Sequence, residues 1–376
     1  MRHLNLSALA TAAGASFLFA CTPPSDDSSK DVPSEEEEET DPGLEILGGN
    51  THSPDGVALS EVIGSDTVSR PMDLAFHPTN PGQLWIVNQT NHSMSIISDA
   101  DTDNWSDESV SHPTGAHFMV QPAGLAFGDN GNLATIHEED ETTPYTEGAP
   151  GTFMGPTMWP SDTDTFDGGH SSHLDMLHNS PNGVGIAWED ENIYWIFDGY
   201  HASLTRYDFA DDHGGGGADH SDGEVLRYVE GEVGYEPGVS SNLVFDPGSN
   251  LLYVADSGNG RIAVLDTTSG STGGAVYPNY DWSTQYQIDD ADLWTLVDGD
   301  TAGLQIPSGL ALHDEMIFVV DHATSFIWAF DLEGEVVDWL ETGIEPYSLM
   351  GIDFDAEGRL YVADAQADRV MRISAL

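Results

Sequence analysis

The segment from residue 252 to residue 266 reads LYVADSGNGRIAVLD, and it contains the pattern on which the fold of this chain depends. An apolar stretch ends in the carboxylate of Asp256, a turn rich in glycine follows, and a second apolar stretch begins after Arg261. Apolar runs of about four to eight residues bounded by turn residues are typical of buried β-strands. The segment 360–373, LYVADAQADRVMRI, has the same pattern. The sequence therefore predicts a repeated pair of strands.

The pattern occurs six times along the chain. First strands are expected at 73–76, 124–127, 185–188, 242–245, 309–312 and 351–354, and second strands at 84–88, 133–137, 193–198, 252–256, 317–321 and 360–364. The step from Leu310 to Ile352 is 42 residues and the step from Leu243 to Leu310 is 67 residues, so the loops vary around a constant core. Such a period predicts an all-β fold, a six-bladed β-propeller.

The quoted segments resemble NHL repeats. This resemblance implies that residues 46–376 form one NHL-like six-bladed β-propeller. NHL-like propellers include lyases, lactonase relatives and binding platforms, so the resemblance indicates a fold and leaves the function open.

The ends of the chain predict how the ring closes. The last repeat ends at Leu376 after its third strand, which leaves its blade without an outermost strand. Residues Val57 to Ile63 alternate in polarity and could supply that strand. Pairing the two ends would remove an exposed sheet edge.

The N-terminus predicts export. Residues 1–20 have the charge distribution and apolar stretch of a signal peptide, and residues 21–45 form an acidic, solvated tether with the run Glu35 to Glu39. The end of the leader, Leu18-Phe19-Ala20-Cys21, resembles the bacterial lipobox. This resemblance implies that Cys21 is acylated and that the membrane is a partner. Thr22 after it indicates a lipid-anchored protein of the cell envelope, sorted to the outer membrane.

The composition restricts the partners. Sixty-five acidic residues stand against nine basic ones, for a net charge of −56. Such a charge excludes nucleic acid. Cys21 is the only cysteine, so no disulfide can stabilise the chain. We expect a monomer.

Residues that recur at one position of the repeat are expected to serve the fold. Four of the six second strands close with an aspartate, which would accept N–H groups of the following turn: Asp198, Asp256, Asp321 and Asp364. Blade two departs from this pattern because His137 closes its strand.

Several imidazoles and carboxylates are expected to meet at one end of the central channel, the mouth. Ends of second strands and starts of first strands lie on the same face of the ring because strands alternate in direction. The segment 168–183 adds a dense group of histidines. We therefore predict a divalent transition metal, zinc, copper or iron, with ligands drawn from His117, His137, His170, His173, His178, Asp198 and His201.

A second acidic group follows the third strand of blade three. Its carboxylates, spaced among glycines, suit calcium, and a solvated loop is the alternative. The candidate calcium ligands are Asp211, Asp212, Asp219 and Asp222. They are expected on the face opposite the mouth.

Two classes of function remain open. A metal-dependent hydrolase or lyase could use His201 or Glu138 as proton acceptor and Arg206 as electrostatic stabiliser. The architecture resembles peptidylglycine amidating lyase, but no Pro-His-Ser precedes the first strands here, so that activity is not carried over. The alternative is a non-catalytic cell-surface platform that binds a small molecule, peptide, protein or metal at the mouth.

Overall fold

The structure is a computed structural model that describes residues 42–102, 104–111, 118–140, 155–166, 173–215, 217, 219–279 and 281–376. The signal peptide, Cys21 and the tether up to residue 41 lie outside the described residues, as do His117 and His170. Among the described residues, no helix has the length and apolar character needed to cross a membrane.

Six sheets form the six blades, as the repeat predicted. After β1 (Val57–Ile63), blade one contains β2 (Pro71–His77), β3 (Asn80–Asn88), β4 (Ser93–Ser98) and β5 (Ser106–Ser111). Blade two contains β6 (Pro122–Phe127), β7 (Asn132–His137), β8 (Thr157–Pro160) and β9 (Asp175–Met176), with the short helix α1 (Thr163–Phe166). Blade three contains β10 (Gly183–Asp190), β11 (Ile193–Asp198), β12 (Ser203–Asp208) and β13 (Glu224–Tyr228).

The remaining blades follow the same order. Blade four contains β14 (Leu243–Asp246), β15 (Leu251–Asp256), β16 (Arg261–Asp266) and, after an inserted hairpin of β17 (Ser271–Ala275) and β18 (Thr284–Asp289), β19 (Leu293–Asp298). The short helix α2 (Gly299–Ala302) leads to blade five, with β20 (Pro307–His313), β21 (Met316–Asp321), β22 (Phe326–Asp331) and β23 (Val336–Glu341). Blade six contains β24 (Leu349–Phe354), β25 (Leu360–Asp364) and β26 (Arg369–Ala375). Single 3₁₀ turns cover Glu45–Leu47, Pro54–Gly56 and Ser257–Asn259.

The N-terminal strand closes the ring. Strand β1 pairs antiparallel with β26, with Val57 opposite Ala375 and Leu59 opposite Ile373. It is therefore the outermost strand of blade six, as predicted, and it covers an edge that would otherwise be unpaired.

The inserted hairpin was not predicted. It leaves blade four and extends blade three to six strands, because β18 pairs in parallel with β13, Glu224 opposite Thr284. The loop between β17 and β18 reaches the connection between blades two and three, where Asp281 accepts a hydrogen bond from the backbone N–H of His178 (2.8 Å). The outer part of blade three is thus held by residues of two blades.

The recurring aspartates have the structural role that their recurrence predicted. All four carboxylates are buried. Asp198 accepts the N–H of His201 at 3.0 Å, Asp321 that of Ala323 at 3.2 Å, and Asp364 that of Ala367 at 3.1 Å. Asp256 differs in detail, since it accepts from Gly234 N and from the side chains of Asn259 and Arg261. These bonds fix the turns at one end of each second strand.

Candidate metal centre

The expected mouth of the channel is crossed by the connection between blades three and four. Ser240 Oγ donates to the carbonyl of Met72 at 2.8 Å, and Asn242 Nδ2 donates to Asp73 Oδ1 at 2.8 Å. Met72 and Asp73 belong to blade one, on the far side of the ring from blade four. This connection also packs closely on blade three, since a Cβ on Gly185 would lie 1.8 Å from the carbonyl oxygen of Ser241.

Glu138 holds this connection in place. Its Oε1 accepts the N–H of Gly238 at 2.5 Å, and its Oε2 accepts from Gln89 Nε2 at 2.8 Å. Burial raises the pKa of the Glu138 carboxyl, and the hydrogen bonds from Gly238 and Gln89 oppose this effect. Arg70 reinforces the arrangement by donating to the carbonyl of Gly238 (2.9 Å).

His137 is completely buried at the end of its strand. Its Nε2 lies 3.2 Å from Thr135 Oγ1, and its Nδ1 lies 3.4 Å from the carbonyl oxygen of Gly155. The ring thus takes the position of the recurring aspartate and contacts its own strand and the segment that leads into β8.

His201 forms a pair with Asp198, with 2.7 Å between Nδ1 and Oδ2. The cation near this carboxylate is Arg227, whose Nη2 lies 3.8 Å from Asp198 Oδ2. Arg206 instead forms a bidentate ion pair with Glu189, with both N–O distances at 2.8 Å. Arg206 is paired with Trp195, and Trp195 comes three positions before Asp198 on β11. Arg206 is therefore about 10 Å along the strand from the turn that contains His201.

His178 forms a separate pair with Asp281, with 2.6 Å between Nδ1 and Oδ1. Asp281 comes from the inserted hairpin of blade four. The next residue, Asn179, has a positive φ of 101° and is clamped by its side chain to the carbonyl of Pro278.

The predicted convergence at one mouth is therefore not observed among the described residues. His137, His178 and His201 each have their own partner on a different strand or loop, and together with Asp198 they form no group of three potential ligands. His137 and Asp198 each close the second strand of their blade, but each histidine is engaged by its own partner. His117 and His170 are outside the described residues.

The described residues contain one group of three potential metal ligands, Asp175, His213 and His220, which we name the rim cluster. One ligand atom of each residue lies within 4.8 Å of the others. Asp175 belongs to β9, the outermost strand of blade two, and both histidines belong to the loop between β12 and β13. This loop reaches blade two because the N–H of His213 donates to the carbonyl of Leu174 at 3.1 Å.

His213 is oriented as a ligand. Its Nδ1 lies 2.7 Å from the carbonyl oxygen of Gly214, so the proton is on Nδ1 and the lone pair is on Nε2. That Nε2 is buried, has no hydrogen-bond partner among the described residues, and lies 4.0 Å from Asp175 Oδ1. The side chain of His213 is 4% exposed. A buried ring nitrogen without a partner costs free energy unless a ligand, ion or water satisfies it.

His220 and Asp175 form a close pair, with 2.7 Å between Nδ1 and Oδ1. Burial of the ring would by itself lower the pKa of His220, but the hydrogen bond and charge of Asp175 outweigh it and raise that pKa. A proton between these two groups therefore occupies the position that a cation could take.

The aspartates predicted to bind calcium do not form a group among the described residues. Asp212 accepts the N–H of Gly214, Asp219 accepts from Ser221, and Asp222 accepts the N–H of Asp211. They cap turns of the loop. The loop was expected to be separate from the histidine segment, whereas its two histidines meet Asp175 of that segment.

Sequence reasoning named both segments of the rim cluster but did not join them. His213 and His220 stand in the acidic loop of the candidate calcium ligands, and Asp175 stands in the segment 168–183 between His173 and His178. The available signal was that both insertions border the outer strands of consecutive blades, β9 and β12.

Comparison with known proteins gives the fold. No protein-family model and no curated protein matches the chain. An auxiliary nutrient binding protein from Bacteroides ovatus is similar in structure, with a TM-score of 0.54 and 14% identity over 85% of this chain and 76% of that chain. Virginiamycin B lyase from Staphylococcus aureus gives a TM-score of 0.51 with 12% identity, over 85% of this chain and 100% of that one.

A luciferin-regenerating enzyme is similar to the same extent, with a TM-score of 0.50 and 12% identity over 85% of this chain and 96% of the other. The chain is a six-bladed β-propeller. At these identities the likeness concerns the fold alone, and the site must be argued from its own geometry.

Proposed function

We propose that this protein is an exported, envelope-anchored β-propeller that binds a divalent metal ion in the rim cluster. The observation that carries the proposal is the buried, unpartnered Nε2 of His213 beside the carboxylate of Asp175. Neutral imidazole together with a carboxylate is a donor set that divalent transition metals accept. Nε2 of His213 already has its lone pair available, because Nδ1 carries the proton.

Binding, rather than turnover, is the activity proposed. Two of the residues expected to take part in catalysis have structural partners, since Glu138 holds the crossing connection and Arg206 pairs with Glu189. Two loops at the mouth carry exposed aromatic side chains, Tyr200 at 52% and Tyr347 at 60%, which suit contact with a small molecule, peptide or protein.

A second candidate function is a hydrolase or lyase in which His201 acts as general base. It is favoured by the Asp198–His201 pair, in which the carboxylate orients the ring as in a general base, and by the 17% exposure of the His201 side chain. A His201→Ala change would then abolish turnover of a substrate while metal binding persists.

Envelope anchoring rests on the leader and the lipobox-like segment that ends at Cys21. Expression of the full chain with its leader should give protein in the membrane fraction, labelled by a palmitate analogue. Cys21→Ala should move it to the soluble fraction and abolish labelling. Equal membrane association of both forms would contradict the anchor.

Elemental analysis after dialysis against metal-free buffer, followed by zinc titration, tests metal binding. We expect about one ion per chain, with binding lost in His213→Ala and in His220→Ala. The matched controls are His137→Ala and His201→Ala, which should bind as the wild type does. Loss of metal in the controls alone would move the site to the mouth, and absence of metal from the wild type would contradict the proposal.

A further inference from the structure

A third imidazole lies beside the rim cluster. The ring centroids of His173 and His213 are 5.1 Å apart with an interplanar angle of 80°, and His173 is 6% exposed. His173 precedes Asp175 by two positions, and the N–H of Leu174 between them donates to the carbonyl of Met158 and continues the ladder of β8 and β9. Side chains two positions apart on an extended chain point to the same side. His173 and Asp175 therefore flank the point at which the loop of His213 docks.

The ring spacing matches a shared tetrahedral ion. With a metal–nitrogen bond of about 2.0–2.1 Å, a ring centroid lies about 3.2 Å from the metal, and two such rings at the tetrahedral angle lie about 5.2 Å apart. The centroids of His173 and His213 are 5.1 Å apart, and those of His213 and His220 are 5.2 Å apart. His213 thus lies at the expected distance from both other rings. The ring nitrogens of His173 lie outside the group formed by Asp175, His213 and His220, so His173 reaches the ion only after a rotation of its side chain.

We infer that the metal site is closed, with three imidazole ligands from His173, His213 and His220 and one carboxylate ligand from Asp175, and that it selects zinc-like ions. This inference rests on the proposed metal binding. Four protein ligands in tetrahedral order are typical of structural zinc. Calcium and magnesium require six or more oxygen ligands, copper(II) prefers a tetragonal arrangement, and iron oxygenases keep open positions.

A closed site has a consequence for function. With no position left for water or substrate, the ion acts as a cross-link between blades two and three and not as a Lewis acid. The two sides of this cross-link, Asp175 and the loop of His213 and His220, now meet through the 2.7 Å pair of Asp175 with His220 and the backbone bond of His213 to Leu174.

His173 also has an apolar environment that a test must preserve. Its ring is stacked on Phe118, with centroids 4.1 Å apart and an interplanar angle of 21°. A His173→Phe change keeps a flat ring against Phe118 and removes the ring nitrogens. His173→Ala leaves a space that free imidazole can enter.

The experiment uses the whole mature chain loaded with cobalt(II) as a spectroscopic probe, together with zinc titration. The wild type should show the intense visible absorption of tetrahedral cobalt, unchanged by added azide. His173→Phe should bind zinc about 100-fold more weakly and give a cobalt spectrum that azide alters. Imidazole should restore the tetrahedral spectrum to His173→Ala. His313→Ala, a partly exposed histidine of blade five, is the control, and thermal unfolding without metal verifies that each variant folds.

The outcomes separate the two proposals. Equal zinc affinity and equal spectra for the wild type and His173→Phe, with loss of binding in His213→Ala, would overturn the closed site and leave a three-ligand site standing. Tighter binding of calcium than of zinc would also overturn it. No binding of either probe to the wild type would remove the proposed metal binding itself.

Discussion

The central channel and the rim between blades two and three both bury charged groups, but they satisfy them in different ways. In the channel, the Asp73 carboxylate accepts from Leu74 N, Leu125 N and Asn242 Nδ2 at 3.0, 3.1 and 2.8 Å. At the rim, the Nε2 of His213 has no partner among the described residues. Asn242 Oδ1 in the channel is also buried without a partner, so an unpartnered atom alone does not mark a site. At the rim the unpartnered atom is an imidazole nitrogen that belongs to a group of three potential metal ligands, and this combination favours a ligand. The hydrogen-bonded Asp73 serves the fold at the centre, and the rim is the place of the proposed metal binding.

The largest expected effect comes from opening the ring, on which both regions depend. A chain that begins at Gly64 lacks β1 and the buried side chains of Leu47, Val57 and Ile63. At about 1.5–3 kcal/mol for each side chain, the free energy of unfolding should fall by about 5 kcal/mol. Denaturant unfolding followed by circular dichroism measures this, with a chain that begins at Pro42 as control. Equal stability of the two chains would show that the pairing of β1 with β26 does not close the ring.

Removing the carboxylate of the rim should weaken the proposed metal binding and spare the fold. Asp175→Asn keeps the shape of the side chain but removes the charge, so zinc affinity should fall by about 100-fold, as measured by calorimetry. Asp212→Asn is the matched control, because Asp212 caps a turn of the same loop and is exposed. Equal zinc affinity of the two variants would show that Asp175 is not a zinc ligand.

The buried carboxyl of Asp73 in the channel should make the free energy of unfolding depend on pH. Burial raises the pKa of Asp73 to about 7, against the hydrogen bonds from Leu125, Asn242 and Leu74, and the nearby Asp353 carboxylate adds to the rise. The pKa of Asp73 is therefore higher in the folded state than in the unfolded state. Its contribution to the free energy of unfolding is fully present below about pH 4 and is lost as the pH rises through 7. Between about pH 5 and pH 7 the contribution should fall by about 2 kcal/mol.

Asp73→Asn should therefore flatten the pH profile of the free energy of unfolding by that amount, without changing metal content. Asp289→Asn, an exposed residue of β18, serves as control. If the free energy of unfolding changed as steeply with pH in Asp73→Asn as in the wild type, Asp73 would not be the source of this pH dependence.

The smallest expected effect concerns Arg206. Its ion pair with Glu189 is partly exposed, at 19% and 18% of the two side chains. Arg206→Gln should therefore cost about 1 kcal/mol of stability and leave metal binding unchanged. Chemical denaturation of this variant measures its stability, and zinc titration measures its affinity for the metal. A loss of metal binding would connect Arg206 to the site, against the present geometry.

The fold could be predicted from the sequence because the same pair of apolar strands occurs six times. In each repeat the apolar residues lie on the two inner strands, which pack against neighbouring blades. All six pairs of strands were therefore predicted correctly. The hairpin of β17 and β18 was missed because Ser271–Ala275 is polar and rich in glycine. Its pairing with blade three depends on a sheet edge that no local pattern encodes.

The site was only half readable, for a related reason. Recurrence separated the structural aspartates from unusual residues such as His137, and it drew attention to both histidine segments. It could not give the radial position of a residue within a blade. Asp175 lies on an outermost strand, and the loop that carries His213 folds back to it through the backbone bond of His213 to Leu174 and the pair of His220 with Asp175. The mouth was expected to be open, whereas Ser240 and Asn242 cross it.

Anomalous diffraction at the zinc edge from crystals of the zinc-loaded protein tests the central claim most directly. We expect one strong peak between Asp175, His213 and His220, within bonding distance of all three. A peak beside His137, His178 or His201, or no ordered peak at the rim, would contradict it.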